Sequence, residues 1–285
     1  MAHAFRIVNV FTVDGDRFSG NPLCVFEDAR GLSDAQMQAL ARQFNLSETT
    51  FVLPPTREGA DHHVRIFTPG FEMPFAGHPT LGTASVVAAG RSRVVLEMKA
   101  GLVPVTTDGT TWTLKTARAP EVKTVAASRA ELCAMLGLPD GSVSDEPLWV
   151  NTGSEQLVIP LASKDLVRAA APSYELLAKH GTSPTREEAM AYVWAKGDPE
   201  HDPEHVVRFF FTLNGGVVED PATGSACANL GGWHLATRQP LPVAITLSQG
   251  EAVQRPSRLG LRVDADGGVF VTGGVIELGR GTAQV

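Results

Sequence analysis

The stretch that decides the fold runs from Glu219 to Leu230 and has the sequence EDPATGSACANL. Its Asp-Pro pair predicts a turn, because the residue before a proline is disfavoured in a helix. The chain then carries no charged residue before Arg238, and Ser225 is a suitable N-cap for a helix of small and apolar residues. A helix that is apolar on all sides is normally buried. The stretch therefore predicts a helix through the middle of a domain, whose N-terminus opens into a site for an anion such as a carboxylate.

The same construction occurs once more, about half a chain earlier. The segment 73–84 has the sequence MPFAGHPTLGTA and also leads into a helix without charged residues. The alignment that places His78 on Ser225 matches the glycine before each of them. Pro79 suits the first position of this second helix, because its fixed backbone angle is already helical. The two segments predict two buried helices that begin in the same way.

A further pair of matching segments lies upstream of these helices. The sequence VRIF at 64–67 resembles VRFF at 207–210. Repeats at a fixed separation indicate a duplicated unit, and chance similarity between short apolar strings is the alternative. The interpretation is two copies of one domain, 1–118 and 119–285, with a cleft between them that both helix N-termini face. The C-terminal strand, near 275–285, is expected to cross back to the first copy.

Strand patterns outnumber helix patterns along the rest of the chain. Many short segments with β-branched residues lie at hairpin spacing. One surface helix is predicted after Ser33, which forms a capping box with Gln36. Ala119-Pro120 is a plausible linker between the two copies. The predicted fold class is α+β, with two curved sheets that each wrap around a buried helix.

Composition excludes several classes of protein. The chain has 285 residues and a formal net charge of −7, without a run of lysines or arginines, so nucleic acid is not an expected partner. It has no apolar run long enough for a membrane span, and its first residues lack a signal-peptide pattern. Three widely spaced cysteines argue against a disulfide framework. These observations predict a cytoplasmic protein that works in a reducing compartment.

Four motifs together resemble a known family. They are NLSETTFV at 45–52, IFTP at 66–69, PFAGHPTLGTA at 74–84 and EDPATGSA at 219–226. With GNP at 20–22 and GRG at 279–281, the resemblance spans essentially the whole chain. The sequence is thus similar to the phenazine-biosynthesis isomerase family, the PhzF-like proteins.

The resemblance implies a fold and an activity. The fold is the diaminopimelate-epimerase-like one, with two pseudo-symmetric halves that each form a strand barrel around a central helix. The activity is that of an isomerase that needs no cofactor or metal and is usually a homodimer. Its site lies in the cleft, with Glu48 as the acid/base and His78, Asp220 and Ser225 lining it. The substrate expected on this basis is a small carboxylated molecule, such as a cyclic amino acid, whose double bond shifts.

Glu48 follows a predicted helix and precedes a strand, between Ser47 and Thr49. On its own, a glutamate in such a turn is more often a solvated surface group. If the cleft buries Glu48, desolvation raises its pKa and makes it a better general base. One carboxyl group could then remove a proton from one carbon and return it to another.

The other candidates have structural alternatives of the same kind. His78 at a helix N-terminus would be biased towards the neutral form and could donate a hydrogen bond to a substrate, or it could be a capping residue. Asp220 could orient His78 or hold a proton, or be a turn residue. Ser225 could bind a substrate carboxylate, or be an N-cap. The neighbouring residues expected to bind substrate are Ser47, Gly77, Thr223 and Gly224.

Two rival functions remain open at this stage. By resemblance, an epimerase or racemase of the same fold that uses two cysteines would carry them just before Gly77 and Gly224, where this chain has Ala76 and Thr223, so the two-thiol mechanism is not available. A non-catalytic binding protein that kept the cleft is the second rival, and turnover of any substrate would separate the two classes. Cys227 lies in the first turn of a helix, where a thiolate is favoured, but it is interpreted as a core residue. His201 and His205 are not interpreted as metal ligands, because Pro203 would break a helix between them.

Overall fold

The fold was analysed in a computed structural model that describes residues 2–183, 185 and 188–285. The chain divides into two compact units. The N-terminal unit comprises Met1–Ala117 and Val271–Val285, and the C-terminal unit comprises Arg118–Phe270. None of the helices in the described ranges combines the length and the apolar character that a membrane crossing requires.

The strands are short and numerous, as their spacing in the sequence predicted. Their bounds are β1 (Ala2–Thr12), β2 (Asn21–Phe26), β3 (Glu48–Leu53), β4 (His62–Phe67), β5 (Glu72–Met73), β6 (Arg93–Met98), β7 (Gly101–Thr107), β8 (Thr111–Lys115), β9 (Glu121–Thr124), β10 (Leu148–Asn151), β11 (Glu155–Pro160), β12 (Met190–Ala195), β13 (His205–Leu213), β14 (Gly216–Asp220), β15 (Val243–Gln249), β16 (Ser257–Val263) and β17 (Val269–Gln284). The helices are α1 (Asp34–Phe44), α2 (Gly77–Val87), α3 (Arg129–Met135), α4 (Lys164–Ala169), α5 (Tyr174–His180) and α6 (Gly224–Ala236).

The strands of the N-terminal unit close into a barrel. β1 pairs with β2 and β17, β2 with β3, β3 with β4, β4 with β6, β6 with β7, and β7 with β8. β8 then pairs with β17, where the hydroxyl groups of Thr113 and Thr272 lie 2.8 Å apart. The ring of pairings is complete, so these strands leave no open edge.

Helix α2 is the apolar helix of the N-terminal unit. Every residue from Gly77 to Ala84 is buried, and the helix contacts β1, β2, β3, β6, β7 and β8. The close approach depends on Gly82, where a Cβ atom would lie 2.6 Å from Cδ2 of Leu23 and 2.9 Å from Cγ2 of Val10. The small residues of α2 therefore set how near the strands can pack against it.

The Gly82→Val substitution is expected to lower the free energy of unfolding by about 1–3 kcal/mol or more, because the added methyl groups overpack the core. The matched control is Gly279→Val, since a Cβ atom at Gly279 in β17 has nothing within 4 Å. Urea denaturation followed by fluorescence gives both values. Equal midpoints for the two variants would contradict this account of Gly82.

Helix α1 covers the outside of the N-terminal unit. The capping box of Ser33 and Gln36 is present, as predicted. The buried face of α1 carries Met37 and Ala41, which belong to a cluster with the aromatic rings of β2, β3 and β4. The helix ends at Phe44, and its C-cap Asn45, with a positive φ of 51°, reverses the chain just before β3. This reversal brings Glu48 to the start of a strand rather than to a loop.

The C-terminal unit has its own strand ladder. β9, β10 and β11 are antiparallel, β11 and β12 are parallel, and β12, β13 and β14 are antiparallel. β15 pairs with β13 in parallel and with β16 in antiparallel orientation. Helix α6 is buried along most of its length and contacts β9, β10, β11 and β16. The shorter helices α3, α4 and α5 supply part of a second cluster with β10 to β13.

The starts of the two apolar helices differ from the sequence prediction. Helix α6 begins at Gly224 with Thr223 as N-cap, so Ser225 is not the cap. Helix α2 begins at Gly77 with Ala76 as N-cap, which places Pro79 in the third helical position rather than the first. Both helices thus start two residues earlier than predicted, each at a glycine.

Strands β5, β9 and β14 were not predicted. The acidic residues before Pro221 end β14, which pairs with β13, so Asp220 is the last residue of a strand rather than part of a turn. Strand β9 begins directly after Pro120 and pairs with β10. β9 and the acidic end of β14 are short and polar, and tertiary pairing rather than local pattern makes them part of a strand.

Candidate active site

The two apolar helices begin without a side-chain cap, unlike the four surface helices. Each surface helix starts after a serine whose hydroxyl accepts a backbone N–H; these are Ser33, Ser128, Ser163 and Ser173. Within the described ranges, no side chain caps α2 at Ala76 or α6 at Thr223. The first-turn N–H groups of a helix bind anions well when no side-chain oxygen satisfies them.

Glu48 and His78 lie side by side in the N-terminal unit. Oε2 of Glu48 is 3.6 Å from Nε2 of His78, and their side chains are 15% and 4% exposed. Glu48 opens β3, and His78 is the second residue of α2. The structure therefore brings together two of the residues singled out in the sequence, although they belong to separate motifs.

The buried ring of His78 is neutral. Burial lowers its pKa to about 3, while a hydrogen bond with the backbone of Pro22 acts in the opposite direction. Pro22 has only a carbonyl to offer, so the ring must donate to it. Nε2 makes no hydrogen bond with any described residue, which assigns the ring proton to Nδ1.

This tautomer changes the hydrogen-bonding role predicted for His78. The sequence suggested a neutral imidazole that donates a hydrogen bond to a substrate. Because the single ring proton is directed to Pro22, the Nε2 atom that faces Glu48 carries a lone pair and accepts instead. His78 can thus receive a hydrogen bond from a protonated Glu48 or from a ligand hydroxyl or amino group.

In the C-terminal unit, Gln249 organises the residues before α6. Its Oε1 atom accepts the backbone N–H of Thr223 at 3.2 Å, and its Nε2 atom donates to the backbone carbonyl of Asp220 at 2.9 Å. Nε2 also donates to the Thr223 hydroxyl at 3.0 Å, and that hydroxyl donates to Oδ2 of Asp220 at 2.5 Å. The carboxylate of Asp220 is thereby held by an ordered network.

Gln249 was not found from the sequence. The residue is 1% exposed, and its partners Thr223 and Asp220 lie 26 and 29 residues earlier in the chain. A glutamine that ends a strand gives no local signal of this kind. Only the placement of β15 beside the segment 220–223 shows that Gln249 positions two candidate site residues.

The remaining candidates occupy different environments. Ser225 is the second residue of α6, where its Oγ atom accepts a hydrogen bond from Nε2 of Gln156 at 3.0 Å. Gly77 and Gly224 are the buried first residues of their helices, and Ser47 is exposed before β3. Their assignment to a substrate site stays a prediction, as does an orienting role of Asp220 towards His78.

Cys227 is a core residue, as predicted. It is fully buried, and burial raises the pKa of its thiol well above the ordinary value. Desolvation, which raises the pKa of the thiol, therefore outweighs the opposite effect of its position in the first turn of a helix. The residues at the two uncapped helix starts, Ala76 and Thr223, carry no thiol, so a two-thiol mechanism is not open to this chain.

Two buried histidines make the folded state sensitive to acid. Burial lowers the pKa of His234 to about 4, as it lowers that of His78. The unfolded chain has an ordinary histidine pKa of about 6.5 and binds these protons first as the pH falls. The stability that both groups contribute is fully present above about pH 6.5 and is lost progressively below it.

The His234→Phe variant is expected to retain more of its neutral-pH stability in acid than the wild-type chain. The ring fits beside Trp194 and Trp233, which contact the His234 imidazole. Urea unfolding at about pH 7.5 and about pH 5 measures the difference, expected to be about 2 kcal/mol. His201→Phe, at an exposed position, serves as the control. Equal acid sensitivity of the wild type, His234→Phe and His201→Phe would show that His234 does not cause the loss of stability in acid.

Comparison with known proteins places these features in context. The sequence profile of the phenazine biosynthesis-like protein family matches residues 8–276. An uncharacterised isomerase of Pasteurella multocida is 38% identical over 283 residues, covering 98% of this chain and 93% of that protein. The trans-2,3-dihydro-3-hydroxyanthranilate isomerase of Pseudomonas aeruginosa is 35% identical over 272 residues, covering 93% and 92%. A PhzF-family phenazine biosynthesis protein of Bacillus anthracis has a similar crystal structure, with a TM-score of 0.84 and 23% identity over 100% of both chains.

Proposed function

The chain belongs to the phenazine biosynthesis-like protein family and is an isomerase, and from this premise we propose that it moves a proton between two carbons of a small carboxylated substrate. The reaction is a 1,3-shift in which a double bond migrates. A cyclic amino acid of the trans-2,3-dihydro-3-hydroxyanthranilate type is the proposed substrate, because a relative with 35% identity is named for it. The proposed chemistry uses protein side chains alone.

The observation that carries the proposal is the pair of Glu48 and His78. A carboxyl group is placed 3.6 Å from a neutral imidazole whose Nε2 atom is an acceptor. Such an acceptor favours the acid form of the Glu48 carboxyl group over the carboxylate, because only the acid has an O–H that can donate to it. The pair therefore supports a carboxyl group that alternates between its two protonation states.

The proton transfer can be written so that it balances. The Glu48 carboxylate takes a proton from one carbon, and the C–H electron pair becomes a new double bond while the existing one shifts. The resulting Glu48 acid donates to Nε2 of His78 until it returns the proton at the far carbon. General acid–base help of this kind contributes about 10²–10⁴ in rate.

The C-terminal unit is proposed to hold the polar groups of the substrate. The hydroxyl of Ser225 and the N–H groups from Gly224 onwards suit a carboxylate, since they lie at an uncapped helix start. The Asp220 carboxylate, fixed by Thr223, suits a substrate ammonium or hydroxyl group. Ser47 and Gly77 are proposed to contact substrate from the N-terminal unit.

A repeated side-chain arrangement supports the proposal that the two units are copies of one domain, each with its apolar helix at the centre of a barrel. Arg65 pairs with Glu72 and lies over the Phe67 ring. Arg208 pairs with Glu219 and lies over the ring of Phe210 in the same way. The match extends from the sequence to an ion pair and a cation–π contact, which chance similarity of short apolar strings does not explain.

Turnover tests the proposed function. The protein is incubated with trans-2,3-dihydro-3-hydroxyanthranilate in D₂O and followed by proton NMR. Migration of the double bond is expected, with only partial deuterium at the receiving carbon if one carboxyl shuttles the proton faster than it exchanges. Binding of the compound without any change in it would favour the non-catalytic alternative. Full deuterium incorporation would argue against a single shuttling group.

A further inference from the structure

A chain of hydrogen bonds between buried side chains runs behind Ser225 in the C-terminal unit. It begins at the β10–β11 turn, passes through Asn229 of α6 and Gln156 of β11, and ends at the Ser225 hydroxyl. Asn229 is 0% exposed and Gln156 is 2% exposed. None of the sequence motifs includes Gln156, and the mechanism proposed above does not use either amide.

Backbone groups fix the orientation of the Asn229 amide. The backbone N–H of Thr152 donates to Oδ1 at 2.9 Å, and the Thr152 hydroxyl adds a second bond at 2.7 Å. On the other side, Nδ2 donates to the backbone carbonyl of Ser154 at 2.8 Å. A backbone N–H can only donate and a carbonyl can only accept, so the reversed amide would place like groups against each other at both ends.

The orientation of Asn229 determines that of Gln156. Nδ2 of Asn229 also donates to Oε1 of Gln156 at 2.8 Å. The Gln156 amide must therefore direct its nitrogen the other way, and Nε2 donates to Oγ of Ser225 at 3.0 Å. Reversing Gln156 would bring two donors together in a buried place, where an unsatisfied polar group is strongly unfavourable.

We propose that Gln156 and Asn229 are positioning residues that commit the Ser225 hydroxyl to donate its proton to the ligand. Because the Gln156 N–H already occupies a lone pair of Oγ, the hydroxyl proton points away from Gln156. The subsite then favours a hydrogen-bond acceptor, such as a carboxylate, over an ammonium group, which could use only the second lone pair of Oγ. The inference rests on the proposed function, because it takes Ser225 to contact the substrate.

The test reverses the hydrogen bond without changing its shape. In the Gln156→Glu variant, one oxygen still accepts from Asn229, while the other now accepts the Ser225 proton. Binding of 2-aminobenzoate, measured by calorimetry at about pH 8, is expected to be at least about tenfold weaker. The affinity of this variant for 2-aminobenzoate should recover as the pH falls, because the introduced carboxyl group is buried and takes up a proton. The protonated group can then donate to Ser225 as the native amide did.

Two further variants separate hydroxyl orientation from other effects. Gln156→Met keeps the length of the side chain without a polar end, and should lose only a few-fold in affinity with no dependence on pH. Simple repulsion by the new charge would persist after the hydroxyl is removed, so the Gln156→Glu effect is also measured in a Ser225→Ala background. A much smaller effect there is expected, and an equal effect in both backgrounds overturns the proposal.

Binding and turnover keep this inference separate from the proposed function. The wild-type protein should bind 2-aminobenzoate, and benzylamine, a cation of similar size, should not compete. In an active enzyme, Gln156→Glu should raise KM more than it lowers kcat. Failure of 2-aminobenzoate to bind would overturn the positioning role, whereas absence of turnover with intact binding would overturn the isomerase mechanism alone.

Discussion

Replacement of Glu48 by glutamine is expected to lower the isomerisation rate by at least about 10²–10⁴-fold. The amide has the shape of the carboxyl group but cannot accept and return a proton. Its N–H can donate to Nε2 of His78, which lies 3.6 Å from Oε2 of Glu48 in the native chain. The variant should therefore fold and still bind 2-aminobenzoate, with the loss confined to kcat. Single-turnover kinetics on trans-2,3-dihydro-3-hydroxyanthranilate measure it.

Two controls accompany this variant. Glu27→Gln makes the same chemical change at a half-exposed carboxylate that pairs with Arg6, and it should keep nearly full activity. Cys227→Ala removes a buried thiol whose pKa is raised by burial, and it should also remain active, since the mechanism uses no thiol. An active Glu48→Gln enzyme together with an inactive Cys227→Ala enzyme would overturn the assignment of Glu48 as the acid/base.

The Asp220→Asn variant is expected to lower kcat/KM by roughly tenfold to a hundredfold. A hydrogen bond to a charged group contributes about 1.5–3 kcal/mol, and the variant removes the charge that is proposed to contact the substrate. The structure around it should survive, because an asparagine oxygen can still accept the Thr223 hydroxyl that lies 2.5 Å from Oδ2. Steady-state kinetics and urea unfolding, measured together, distinguish lost chemistry from lost stability.

Thr223→Val is the matched control for Asp220. It keeps the charge of Asp220 and removes the hydroxyl that orients it, while Gln249 still holds the backbone carbonyl of Asp220. The loss in kcat/KM should be smaller than that of Asp220→Asn, and unfolding should be easier by about 1 kcal/mol. Equal losses in the two variants would show that Asp220 acts only through the local structure.

Local patterns were sufficient to predict that helices α1, α2 and α6 exist. The uncharged runs after Gly77 and Gly224 predicted buried helices, because an apolar helix has no face suited to water. The Ser33 capping box predicted the start of α1, which depends on residues within one turn. The burial of Cys227 followed from the same local composition.

The short polar strands could not be predicted in this way. β9 and the end of β14 have no alternation of apolar residues, and they are strands because a neighbouring strand offers backbone partners. The helix starts were displaced for a related reason. Ser225 has the chemistry of an N-cap, but its hydroxyl is held by Gln156 within the folded unit, and Thr223 takes the cap position.

A structural role for Asn229 could have been predicted from the sequence. It is a lone polar residue in an otherwise small and apolar stretch, four positions after Ser225 and hence on the same face of the helix. A buried amide on that face needs partners. Its partners, Thr152 and Gln156, lie more than 70 residues away in the chain, so their identity was beyond any local pattern.

The sequence by itself determined the two apolar helices and, through four motifs, singled out the residues that are proposed to carry chemistry. The tertiary structure alone decided where their protons lie. Pro22 accepts the ring proton of His78, Gln249 donates to the Thr223 hydroxyl, and Gln156 donates to the Ser225 hydroxyl. The physical reason is range: helix propensity and capping act over a few residues, whereas the direction of a buried hydrogen bond depends on partners that only the folded chain brings together.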